Sequence, residues 1–227
     1  MPSLPTPYYE QDGITIYHAD CRDILPLLEP GRVDLVLTDP PYGIALKENG
    51  RNGYDWSVIG DESQEIGQVV LDYFKTTSAG VIAFASPKKP WSGSWRQHLV
   101  WDKGPAVGGG GDPKTCWKST WELVQTWNTG VLNGPRDSAV LRFWVGQRDY
   151  HYHPCQKPAP LLVYLIEKTT KSDDLVIDPF MGSGSVARAC ADTGRRYIGI
   201  EIDERYCEIA AKRLQQSVLP MFAEAAS

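Results

Sequence analysis

The stretch Thr38-Asp39-Pro40-Pro41-Tyr42-Gly43 brings a carboxylate, a stiff backbone and an aromatic ring together. The Asp39 carboxylate can accept a hydrogen bond from an amino group, and the Pro40 carbonyl beside it can accept a second. Tyr42 offers a flat face on which a ring can stack. The three groups describe a clamp for an exocyclic amine on a heterocycle. Taken alone, the proline pair reads equally well as the punctuation that ends a strand.

A second stretch, Asp178-Pro179-Phe180-Met181-Gly182-Ser183-Gly184-Ser185, is led by an acid and followed by another, Glu201, 23 residues after Asp178. Glycines let a backbone pass close to a ligand, and an acid about 20 residues further on accepts hydrogen bonds from ribose hydroxyls. A dinucleotide loop wants a third glycine where this chain has Ala187. Asp178 at the head of the loop would repel a pyrophosphate and suits an ammonium group. A cofactor with a ribose and a cationic amino-acid end, S-adenosylmethionine, therefore fits better than a dinucleotide.

Both stretches need strands to present them. Val33-Asp34-Leu35-Val36-Leu37 is a short apolar run stopped by prolines, which neither donate to a ladder nor continue a central strand. Leu175-Val176-Ile177 leads into Asp178, and Tyr197-Ile198-Gly199-Ile200 into Glu201. Between these two runs, a helix from about 185 to 193 stops at Gly194. Pro158 opens a helix over Leu161 to Thr170, and a last helix runs from Glu204 to about Gln216. Upstream, Asp12-Gly13 joins two strand-like runs as a tight hairpin. Residues 21 to 29 read as a short helix with Pro26 in its first turns, and residues 63 to 78 resume helical spacing through Ile66, Val69, Val70, Tyr73 and Phe74. Val81 to Ala85, Leu99 to Trp101, 120 to 127 and 138 to 145 read as strands. The segment 43–61 is too long for an ordinary connection and reads as a disordered stretch or a functional lid. Four glycines at 108–111 mark a flexible loop, 146–157 is another loop, and the tail from Pro220 reads as unstructured. The order predicts an α/β fold with a doubly wound, mostly parallel sheet, in one domain over 1–227.

Composition narrows the class. No apolar run is long enough to cross a bilayer, and the start of the chain has neither a basic head nor an apolar core, so a cytoplasmic protein is expected. Five scattered cysteines, Cys21, Cys116, Cys155, Cys190 and Cys207, show no zinc spacing, and His151 and His153 have no third ligand beside them; no metal is expected. The net charge of −5 divides unevenly: residues 1–85 carry −8, residues 86–157 carry +5 and residues 158–227 carry −2. The basic middle third also holds seven of the eight tryptophans, a mixture suited to phosphates and bases or, for at least half of those rings, to core packing.

With these stretches in hand, the chain resembles the β group of amino-methylating DNA methyltransferases, in which the catalytic motif precedes the cofactor motif. Four stretches carry the resemblance: His18-Ala19-Asp20-Cys21, Thr38 to Gly43, His153-Pro154-Cys155-Gln156-Lys157-Pro158, and Asp178 to Ser185 with Glu201. It implies the S-adenosylmethionine-dependent methyltransferase fold and methyl transfer to N6 of adenine in double-stranded DNA. The base would be flipped out of the duplex. Asp39, Pro40 and Tyr42 would be the catalytic groups. Asp20, with Cys21 beside it, would meet the cofactor's adenine and Glu201 its ribose. Asp178, Phe180, Gly182, Ser183 and Gly184 would shape the methionine end, with Lys157 nearby. A short target-recognition elaboration is implied at about 103–152, and a homodimer is suggested. Cys155 stands where the family usually has Thr, and Ser185 likewise. Cytosine N4, for which the family more often shows Ser at position 39, stays open as a target. A nicotinamide-dependent oxidoreductase and a silent DNA-binding module remain as readings from other classes.

Overall fold

The computed structural model describes residues 3–29, 31–44, 47–48, 56–57, 62–105, 114, 117–145 and 156–216. Strands β1 (Tyr9–Gln11) and β2 (Ile14–His18) pair antiparallel around Asp12-Gly13, and both turn residues have positive φ, as a two-residue hairpin requires. The helix expected over 21–29 is shorter: α1 spans Cys21–Ile24 and continues only as a 3-10 turn at Leu25–Leu27. Pro26 sits in that turn, where a missing N–H is tolerated and a longer α-helix would not be.

Next come β3 (Leu35–Thr38), two short strands β4 (Lys47–Glu48) and β5 (Trp56–Ser57) that pair with each other, α2 (Glu65–Lys75) and β6 (Gly80–Ala85). Strands β7 (Gln97–Asp102), β8 (Trp121–Trp127) and β9 (Val140–Arg142) fill the middle third. The run expected at 138–145 thus forms a much shorter strand. The last third is α3 (Ala159–Thr169), β10 (Leu175–Asp178), α4 (Ser185–Thr193), β11 (Arg196–Glu201) and α5 (Glu204–Gln215). Segments 43–61, 104–115 and 146–157, with Cys116, His151, His153 and Cys155, fall wholly or mostly outside the described residues, as does the tail from Pro220.

Nine strands form one sheet in the order β1-β2-β11-β10-β3-β6-β8-β7-β9. From β2 to β6 every neighbouring pair is parallel; β8 runs antiparallel to both β6 and β7, and β9 lies parallel to β7. Side chains alternate between the sheet's two faces, and both are covered. Leu35 and Leu37 point into a core shared with Leu161, Leu162, Leu165 and Ile166 of α3 and Ala187 and Cys190 of α4. Val36, Val81 and Ala83 point the other way, onto Val70, Leu71 and Phe74 of α2. That stripe is narrower than expected: Val69 lies 59 % exposed. The tryptophans of the middle third also divide, with Trp91 and Trp101 buried and Trp117 and Trp144 largely exposed. Cys21, Cys190 and Cys207 are free and buried. No helix among the described residues is long and apolar enough to cross a membrane.

The chain leaves β3 towards β6 on one side and leaves β10 towards β11 on the other. The crevice at the carboxyl ends of β3 and β10 is therefore the switch point of the sheet, where open α/β folds bind ligands.

Candidate functional site

Strand β3 delivers Thr38 and Asp39 to that crevice, and β10 delivers Asp178. The register pairs Val176 with Leu35 and Ile177 with Val36, so Asp178 comes level with Leu37, two residues before Asp39, and both acids open at the same end of the sheet. A buried hydrogen bond ties the strand ends together: the Thr38 hydroxyl donates to Asp178 Oδ1 across 2.7 Å. The same oxygen accepts from the Phe180 N–H at 3.1 Å, which starts the turn into the glycine loop. Burial pushes the Asp178 carboxyl up to about 7, with the Asp39 and Glu201 charges adding to the rise against those two hydrogen bonds.

The glycine loop is built around a backbone that turns left-handed twice. Gly182 has φ +54° and nothing within 4 Å of where a Cβ would stand, so the backbone is open to the crevice there. Gly184, the residue before α4, has φ +76°, and a Cβ would lie 2.6 Å from that of Ala210. Glu201, at the end of β11, accepts from the Gly182 N–H at 2.8 Å and the Asp203 N–H at 2.9 Å, which fastens the loop to the next strand. Burial raises its carboxyl, and those backbone donors work against the rise. Buried Ser183 is held from behind by Arg213, whose guanidinium donates to its carbonyl at 2.8 Å.

At the end of β2, Asp20 caps α1 by accepting from the Arg22 N–H at 2.9 Å, and the Arg22 guanidinium grips the same carboxylate. That hydrogen bonding holds Asp20 below the usual carboxylate range, while burial pushes the neighbouring Cys21 thiol up to about 11.

The clamp stretch is engaged as well. The Tyr42 hydroxyl donates to Asp39 Oδ1 at 2.5 Å, and the ring meets Trp91 edge-on. Lys157 Nζ donates to Asp39 Oδ2. Lys157, expected near the methionine end of a cofactor, thus contacts the clamp, and it also lies 3.4 Å from Glu122 Oε2. Burial raises Asp39, the Lys157 charge lowers it and the Glu122 charge raises it again, for a net rise. No hydrogen bond reaches the Pro40 carbonyl among the described residues. Gly67 of α2 lets the backbone approach: a Cβ there would lie 2.7 Å from the Trp91 ring and 2.9 Å from Pro40 Cβ. The far end of the stretch is pinned by Lys89, which donates to the Gly43 carbonyl.

One cavity of about 350 Å³ joins these parts. Asp20, Cys21, Asp39, Pro40, Tyr42, Lys157, Asp178, Phe180, Gly182, Ser183 and Glu201 all line it; Gly184 alone of the expected site residues does not, and acts through the turn it makes. Its size suits a small organic ligand with a few convergent polar groups. Sequence reasoning missed Glu122, Phe84 and Gly67, which line the same cavity. Glu122 left one signal, as the sole acid of the strand Trp121–Trp127 in the basic third. Among the described residues no group of three His, Cys, Asp or Glu could hold a metal.

Comparison with known proteins fits this geometry. A family model described as DNA methylase, covering N6 and N4 enzymes, matches residues 81–212. The Type II methyltransferase M2.LlaDCHI of Lactococcus lactis subsp. cremoris is 24 % identical over 263 residues, covering 94 % of this chain and 93 % of the relative. Among solved structures, an M1.HpyAVI–SAM complex matches with TM-score 0.62 at 24 % identity, over 88 % of this chain and 99 % of that one. The cytosine-N4-specific PvuII DNA methyltransferase matches with TM-score 0.67 at 17 % identity, over 95 % and 90 %. At these identities the structural likenesses are likenesses of fold.

Proposed function

This chain belongs to the amino-methylating DNA methylase family, and from that premise we propose that it moves a methyl group from S-adenosylmethionine to N6 of adenine in double-stranded DNA. The observation that carries the reading is that Asp39 and Asp178 end neighbouring parallel strands and line one cavity, so an amine clamp and a cofactor loop open towards each other. The family match does not favour a nicotinamide-dependent oxidoreductase.

The residues present fit the cofactor. The open backbone at Gly182, buried Asp178 and the ring of Phe180 form a cradle for an amino-acid end, and Glu201 stands where ribose hydroxyls would be read. Asp20 and Cys21 line the side left for the adenine. The bound cofactor would supply a methyl group on a sulfonium, with a thioether as leaving group.

The chain's own task is then positioning. An exocyclic amine is a weak nucleophile because its lone pair is delocalised into the ring. Hydrogen bonds from its two protons to Asp39 and the Pro40 carbonyl favour a pyramidal nitrogen whose lone pair faces the methyl group. The groups are fixed before the substrate arrives, so orientation and electrostatics do most of the work. The amine is out of reach in a duplex, so the base is extruded and stacked on Tyr42. Aspartate at position 39 supports adenine over cytosine, and the segment 103–152, in the basic third, supports contact with the DNA around the target. The relative named as a Type II methyltransferase supports a place in restriction and modification.

Asp39→Ala tests the reading. Transfer to duplex DNA is expected to fall at least a thousandfold while cofactor affinity stays within about threefold. Unchanged turnover would defeat it, and so would a wild-type protein that methylates RNA or protein in preference to DNA.

A further inference from the structure

Four charged side chains from distant parts of the chain meet behind the clamp. Lys157 Nζ contacts Asp39 Oδ2 and lies 3.4 Å from Glu122 Oε2, and Lys103 Nζ lies 3.1 Å from Glu122 Oε1. Lys157 is buried among rings, its Nζ 4.9 Å from the Phe84 centroid, 5.9 Å from Trp101 and 6.0 Å from Tyr42. Two features of this network are unbalanced. Glu122 Oε2 is buried and within ion-pair range of Lys157, yet no donor reaches it with hydrogen-bond geometry among the described residues. Buried acceptors are seldom left so, because an unmet one is costly. Asp39, by contrast, has a donor on each oxygen. A carboxylate neutralised by a buried ammonium is a poor acceptor for an incoming neutral amine.

We infer that Glu122 is a positioning residue that takes the Lys157 ammonium from Asp39 when the target amine engages Asp39. The inference rests on the amine-clamp reading of Asp39. The movement it requires is small: Lys157 Nζ has to approach Glu122 by about half an ångström to reach the roughly 2.7–2.9 Å of a charge-assisted hydrogen bond. The ammonium keeps aromatic faces beside it as it moves, which attract a cation in either position. The handover exchanges one ammonium–carboxylate pair for another, so the buried ammonium stays paired, while Asp39 keeps the Tyr42 hydroxyl and turns its freed oxygen to the amine. Although Glu122 lines the cavity, its role here is through Lys157: it sets how much negative charge Asp39 presents to the amine.

The test is single-turnover methyl transfer from labelled S-adenosylmethionine to unmethylated genomic DNA. Glu122→Gln keeps the shape and loses the charge. Its rate is expected to fall about 10- to 100-fold, with cofactor affinity within about twofold and the melting temperature within a few degrees of wild type. Glu122→Asp keeps the charge one methylene further back and is expected at an intermediate rate, a rescue that a packing role would not give. A wild-type rate in Glu122→Gln, or Glu122→Asp as slow as Glu122→Gln, overturns the inference. Should Glu122→Gln fail to bind the cofactor, Glu122→Asp decides alone: a lowered rate with intact cofactor affinity supports the handover, and a wild-type rate overturns it. Asp39→Ala, run in parallel, separates the two levels. If it turns over, the clamp reading has failed; if it is silent while Glu122→Gln is unimpaired, only the handover has.

Discussion

Asp178 is a buried acid whose ionisation would be linked to cofactor binding if it holds the cofactor's ammonium as proposed. Burial penalises the charge and pushes its carboxyl up to about 7. A cationic amino-acid end needs that charge, so proton and ligand compete. Below pH 7 cofactor affinity is expected to rise with pH, by up to about tenfold per unit, and to level off above it. Stability runs the other way: with the folded value above the ordinary 3.8, the cofactor-free protein loses stability as pH rises from about 4 through 7. Calorimetric titration of S-adenosylmethionine between pH 5.5 and 8 checks the first expectation, and Asp178→Asn should bind weakly and without that slope. An affinity flat across the range in the wild type would contradict it. Asp178 itself was legible because an acid ahead of two glycines is an unusual beginning for a phosphate loop. Glu122 was not, since what distinguishes it is contact with Lys157 and Lys103, and no spacing in the chain encodes that meeting.

At the scale of elements, what could be read was what has a period. The five parallel strands are short apolar runs with stops, and α3, α4 and α5 follow helical spacing with clear ends, so their bounds agree with expectation to within a residue or two. Where the period was ambiguous, tertiary packing decided. Val69 fits an apolar stripe by spacing, yet α2 meets the sheet through Gly67, Val70, Leu71 and Phe74. Gly67 has no hydrophobic signature at all, although it is the point at which the helix lets Pro40 and Trp91 come close. Gly67→Ala sets two effects against each other. Alanine favours the helix by about 1 kcal/mol, and the methyl group forced into a packed site costs about 1–3 kcal/mol. With contacts of 2.7 Å and 2.9 Å to be relieved, overpacking is expected to win by about 1 kcal/mol, and the displaced Pro40 should slow methyl transfer more than it lowers stability. Chemical denaturation and single-turnover rates check both halves. Gly184→Ala is expected to be worse, because it adds a left-handed φ of +76° to a 2.6 Å clash with Ala210; a loss of about 2–4 kcal/mol is expected.

For the whole molecule, the organising fact is the switch point between β3 and β10, which brings residues 39 and 178 together from opposite halves of the sequence. Either strand read alone was ambiguous. The order of elements along the chain was enough to predict a doubly wound sheet, whereas the three strands that extend it past β6 carry mixed directions that no local pattern specified. The uneven charge belongs to this scale too. An overall −5 would repel DNA, but the middle third carries +5. Binding to duplex DNA should therefore be electrostatic in large part, and raising salt from 50 to 200 mM is expected to weaken it by about tenfold or more. Fluorescence anisotropy measures this, and a salt-independent affinity would argue against phosphate contacts. The most direct test is which amine receives the methyl group. Nucleoside mass spectrometry of unmethylated DNA incubated with the protein and S-adenosylmethionine is predicted to show N6-methyldeoxyadenosine; 4-methylcytosine as the only product, or no methylated base at all, would contradict it.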